Sequence, residues 1–108
     1  MPKNKQIFVS VSQRERADAL VLLMKSLTGI DARERNRRQS TADARTMIAA
    51  VMLNEGMPVA VVSQLLHRDH ATVYHYRKKI DMFMNVPGYA AEREVWMKFR
   101  DAARNGAE

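Results

Sequence analysis

The chain has 108 residues, 18 Lys+Arg against 12 Asp+Glu, and a net charge of +6. With no cysteine, disulfide scaffolds, cysteine-ligated zinc and thiol catalysis are excluded. At 46% apolar residues, with four Gly and three Pro, it is no disordered polycation, and no apolar run approaches a membrane span. The opening Met1-Pro2-Lys3-Asn4-Lys5 has bases but no apolar h-region behind them, so no export is expected.

Ile7 to Val11 alternates and reads as a short extended arm, within an N-terminal segment 1–11. Ser12-Gln13-Arg14-Glu15 reads as a capping box opening a first helix over 13–28. Ala17, Leu20, Val21, Met24 and Leu27 follow at spacings of three and four, and Gly29 supplies a left-handed stop. Arg33 to Ser40 is an exposed basic loop. A second helix starts near Thr41 or Ala42, with Asp43 in its first turn. It runs through Met47, Ile48, Val51, Met52 and Leu53 to Gly56, apolar enough to be the central core helix. Pro58 opens a short third helix, Val59 to Leu66. After His67-Arg68, Asp69 is the N-cap of a fourth helix from His70 to about Met84. Pro87-Gly88 breaks the chain, and a last helix spans about Tyr89 to Ala103. Five helices with short connections predict an all-α orthogonal bundle over residues 12–104, with a tail at 105–108.

The positive charge is concentrated. Residues 33–79 hold nine bases and four acids, +5 of the total +6. They cluster at Arg33, Arg35, Arg37 and Arg38, and at Arg77-Lys78-Lys79. Such clusters attract a phosphate backbone by Coulomb force and counterion release, although many charge runs are only solvated surface. A short helix, a tight turn and a longer basic helix are the parts of a helix-turn-helix. At 100° per residue, Val73, Tyr76, Ile80, Phe83 and Met84 of the fourth helix face the core. Ala71, Tyr74, His75 and Lys78 face outward, with His70 beside them at the amino end. A recognition helix presents that end to base edges in the major groove. Small Ala71 allows close approach, and Thr72 is placed to bond a phosphate.

The string Arg68-Asp69-His70-Ala71-Thr72-Val73-Tyr74-His75-Tyr76-Arg77-Lys78-Lys79-Ile80 resembles the signature of the DNA-binding C-terminal domain (domain IV) of DnaA, the bacterial replication initiator, a Trp-repressor-like helix-turn-helix. Eight of the thirteen positions match: Arg68, Asp69, His70, Thr72, Val73, His75, Lys79 and Ile80. Ala44-Arg45 with the apolar helix behind it, and the Arg33–Arg38 stretch, resemble that family's core helix and basic loop. The resemblance implies double-stranded DNA as the partner. It implies Arg68, Asp69, His70, Ala71, Thr72 and Tyr74 at the major groove, and Arg45 in the adjacent minor groove. It places Arg33, Arg35, Arg37, Arg38, His75, Lys78 and Lys79 at phosphates. Ala71 departs from the family's first threonine, Asp43 and Ala44 depart from its Arg and Pro, and Leu66-His67 departs from its Gly-Gly, which calls for a different turn backbone.

No Gly-x-x-x-x-Gly-Lys-Ser/Thr is present, so the expectation is a stand-alone regulator of replication or transcription, or a mobile-element protein, without nucleotide or other cofactor. Bacterial or phage origin and a cytoplasmic, nucleoid-associated place follow from the same resemblance. His67, His70 and His75 lack an evident further ligand, so no metal is expected. Asp69 and His70 lack a third catalytic partner, so no enzyme is expected. The alternative is a protein-interaction module docking on a replication protein through the last helix around Trp96. Single-stranded nucleic acid is a weaker option, since the few aromatics are mostly core-placed.

Overall fold

In a computed structural model, residues 8–106 are described and form five helices, with no strand among them. They are α1 (Val11–Thr28), α2 (Gln39–Asn54), α3 (Val59–Leu66), α4 (His70–Asn85) and α5 (Ala90–Asn105), with a 3₁₀ turn at Pro87–Tyr89. Residues 1–7, which include most of the expected arm, and residues 107–108 lie outside the described residues. Val11, expected in the arm, is the first residue of α1.

Several boundaries have a local cause. Two overlapping capping patterns compete at the start of α1, and the earlier one is used. Ser10 Oγ accepts the Gln13 amide at 3.1 Å, and Gln13 Oε1 accepts the Ser10 amide at 2.9 Å. The expected box at Ser12 and Glu15 is therefore inside the helix, because capping at Ser10 gains further intrahelical bonds such as Arg14 N–H to Ser10 C=O. Gly29 ends α1 at φ 79°, its amide donating to Lys25 C=O, as expected of a residue without Cβ. Helix α2 starts at Gln39, earlier than Thr41, which moves Asp43 out of the first turn. Pro58 caps α3 rather than opening it: its carbonyl accepts the Val61 and Val62 amides, and its missing N–H costs nothing there.

Helix α2 is the hub and packs against α1, α3, α4 and α5. Phe83, Phe99, Leu20, Met24, Ile48, Met52, Val62 and Val73 are all but inaccessible to solvent. Burying each such side chain contributes about 1.5–3 kcal/mol. Two tethers outside this core orient the ends. Arg16 Nε donates to Glu55 Oε1 at 3.0 Å, while its Nη2 bonds Ala103 C=O, joining α1, the end of α2 and α5. The hydrogen bond to Glu55 holds the Arg16 pKa above its ordinary value. Arg93 Nε and Nη2 bond the carbonyls of Phe83 and Val86, satisfying acceptors at the end of α4.

Trp96 is 3% exposed and belongs to this core. The indole docks α5 onto the bundle, so a partner at the last helix would meet outer residues such as Met97 rather than Trp96 itself.

Candidate nucleic-acid interface

The connection from α3 to α4 is three residues long, His67-Arg68-Asp69. The Arg68 amide donates to Ser63 C=O at 2.9 Å and the His67 amide to Gln64 C=O at 3.3 Å, the paired bonds of a Schellman ending. That ending needs a left-handed residue, and His67 supplies it at φ 55°, ψ 46°. Leu66 remains helical. The altered backbone expected from Leu66-His67 is thus confined to one residue type: histidine, more tolerant of this region than most side chains, occupies the left-handed position.

Asp69 then caps α4 as expected, its Oδ1 accepting the Thr72 amide at 2.8 Å. That amide, and secondarily the Thr72 hydroxyl, hold the Asp69 carboxyl below its ordinary pKa. One carboxylate oxygen of a candidate base-reading residue is therefore committed to the helix itself, and Oδ2 carries no backbone bond.

The outer faces of α4 follow the sequence reading. Val73, Tyr76 and Phe83 are buried and Ile80 and Met84 partly so, while His70, Ala71, Tyr74, His75 and Lys78 are exposed. Thr72 and Lys79 are half-buried on the flank between. The amino end of α4 thus presents a small residue, two imidazoles and a phenol ring to solvent.

The basic loop runs beside it. All of Arg33 to Ser40 is exposed. The loop is ordered by interior bonds: Asp31 Oδ1 accepts the Arg33 amide at 2.9 Å, and Asn36 Oδ1 accepts the Arg38 amide at 3.0 Å. These are Asx-turns, which let a short polar side chain replace a backbone partner. Ala32, 1% exposed, plants the loop in the core. Arg33 Nη2 also reaches Asp18 Oδ1 on α1 at 2.8 Å, an exposed pair that contributes little to stability.

Arg45 departs from its expected role. It is 8% exposed, with Nε donating to Ala32 C=O at 3.1 Å and Nη2 to Glu34 C=O at 3.3 Å. A guanidinium spent on two carbonyls of the loop is a tether, not a finger free to enter a minor groove. Burial, and then the neighbouring charge of Arg68, lower its pKa. Burial raises that of Tyr76, opposed by the charges of Arg45 and Arg68. Two cations thus lie near each other beside a buried phenol.

Two hollows adjoin at these cations. One, of about 650 Å³, lies between the loop residues Arg33, Arg35 and Arg37 and the turn residues His67 and Arg68. The other, of about 280 Å³, lies between Gln39 and Ala42 of α2 and Thr72, His75 and Lys79 of α4. Arg45 and Arg68 line both, so loop, turn and first turns of α4 share one concave basic surface. Arg38 and Lys78 are exposed outside both hollows.

Sequence reasoning missed the scaffold of this surface: Ala32, Asp31, Asn36 and the tethering role of Arg45. The Asp-x-Arg and Asn-x-Arg spacings were the available signal for the two Asx-turns. Among the described residues, no three His, Cys, Asp or Glu side chains converge as metal ligands would. No described helix is long and apolar enough to cross a membrane. Compared with protein families, curated proteins and solved structures, the chain matches none.

Proposed function

We propose that this protein binds double-stranded DNA, with the amino end of α4 in the major groove and the basic loop along the flanking phosphates. The observation that carries the reading is the shared concave surface, on which the loop arginines, Arg68, His75 and Lys79 converge without an acidic side chain other than Glu34 lining it. Arg45 and Arg68 repel one another there, and a polyanion relieves that repulsion. The exposed His70, Ala71 and Tyr74 stand at the end of α4 where helix amides concentrate partial positive charge. The resemblance of the Arg68–Ile80 string to the DnaA domain IV signature supports the same role, sequence-specific binding in control of replication, transcription or a mobile element within a bacterial cell.

In this reading His70, Ala71 and Tyr74 read bases, Asp69 adds its free oxygen, and Arg35, Arg37, Arg38, Lys78 and Lys79 hold phosphates. Arg45 acts through the loop that it tethers. A gel-shift titration over a salt series tests it. Wild type retards duplex DNA with affinity that falls steeply with salt, and Arg37→Ala with Arg38→Ala weakens all duplexes alike and flattens that slope. His70→Ala narrows the gap between preferred and random duplexes by about 1–3 kcal/mol. Absence of duplex binding at low salt overturns the proposal.

A further inference from the structure

We propose a second ligand, a small phosphate monoester, held in the hollow between α2 and α4 by the guanidinium groups of Arg45 and Arg68 and the hydroxyl of Tyr76. That hollow is about 280 Å³, and no carboxylate lines it. A water molecule takes up about 30 Å³ of the liquid, so there is room for a phosphate group and its ester substituent. The inference goes beyond duplex binding, because the ligand is a small anion bound on its own.

Two side chains more than nine-tenths buried supply the donors. Arg45 spends Nε on Ala32 C=O and Nη2 on Glu34 C=O, which fixes the plane of its guanidinium. Among the described residues its Nη1 has no acceptor, and the hydroxyl of Tyr76, 7% exposed, makes no hydrogen bond of good geometry. Among the same residues Ser63 Oγ is the one side-chain polar atom both sealed from solvent and unpartnered, so Nη1 and the phenol oxygen open onto the adjoining hollows. Arg68 stands at the same point, its charge acting on both Arg45 and Tyr76. Neither arginine is in an ion pair among the described residues. Two neighbouring cations, one of them buried, are costly without a counter-charge, and a bound anion removes the cost. The planar guanidinium fork matches phosphate oxygens, and the neutral phenol adds one more donor. A monoester near neutral pH carries close to two negative charges, which suits two guanidinium groups better than the single charge of a backbone phosphate. His75 and Lys79 also line the hollow.

The test is an NMR titration of the full chain with phenyl phosphate near neutral pH, at an ionic strength held constant with sodium chloride. Arginine side-chain N–H and tyrosine ring signals are followed, and saturable shifts are expected at Arg45, Arg68 and Tyr76. Arg68→Gln is expected to weaken binding about ten-fold, the loss of one charge-assisted hydrogen bond. Tyr76→Phe, which keeps the ring in the core, weakens it several-fold. Lys78→Gln removes the same charge from α4 outside both hollows and leaves binding unchanged. Equal weakening by Arg68→Gln and Lys78→Gln, shifts centred on Arg33–Arg38, or no saturable shift overturns the proposal. A parallel titration with a short DNA duplex separates the two sources of phosphate. Shifts at Arg45 and Tyr76 with duplex but not with phenyl phosphate give the hollow to the DNA backbone and overturn the monoester site. Saturable phenyl phosphate binding without duplex binding upholds the site and overturns only the DNA reading.

Discussion

Helices α2 and α4 are both sixteen residues long, yet α2 buries twelve of its side chains and α4 buries three. In α2 the packing is so complete that even Asp43, Arg45 and Thr46 are inside, each with a hydrogen-bond partner: Gln39 for Asp43, the loop carbonyls for Arg45, Ala42 C=O for Thr46. In α4 one stripe anchors the helix, and the remaining face is left to solvent. The difference teaches where each helix takes its stability. Packing specifies α2, which has no side-chain cap, whereas α4 starts at a real cap, Asp69. A helix that leaves most of its surface to solvent depends more on local chemistry at its start.

Substitutions sharpen this contrast, beginning with the largest expected effect. Phe83→Ala removes the anchor of α4 and should cost about 3–5 kcal/mol in urea unfolding, whereas Tyr74→Ala on the outer face should stay within about 0.5 kcal/mol. A comparable loss at Tyr74 would mean that the outer face is packed.

Arg45→Met cuts the tether between α2 and the loop. Leaving the Ala32 and Glu34 carbonyls without their donor should cost about 1–3 kcal/mol of stability. Under the DNA reading, affinity drops for every duplex by a similar factor, because the loosened loop holds phosphates less well. Loss of preference at particular base pairs, seen by selection from random duplexes, would instead restore Arg45 to the minor groove.

At the turn, His67→Gly should raise stability by about 1 kcal/mol, since glycine occupies the left-handed region without the Cβ clash. A decrease would show that the imidazole makes an energetic contribution greater than its strain.

The smallest effect is in pH. The folded-state pKa of Asp69 is lowered, so its cap contributes above the ordinary carboxylate range and is lost as pH falls through the lowered value. Wild type should therefore lose Tm relative to Asp69→Asn on acidification, because Asn caps without titrating. A difference in Tm that stays constant down to strongly acidic pH contradicts the cap.

Much of this contrast was legible in the residues. The 3.6-residue period placed the buried and exposed faces of α4, and the Asp69 and Gly29 boundaries follow from cap chemistry that acts over a few residues. What was illegible depended on distant partners. Nothing near Arg45 in sequence announces that the carbonyls of Ala32 and Glu34 turn toward it, so its burial had no local signal. Ser10 and Ser12 offer equivalent capping patterns, and only the completed helix decides between them.

We propose that the loop and the amino end of α4 act as one duplex-binding surface. The most direct measurement is an amide NMR shift map during titration with double-stranded DNA at low salt. The account predicts perturbations concentrated at residues 33–38 and 67–79, with α1 and α5 largely silent. Perturbations centred on α1 or α5, or none at all, would contradict it.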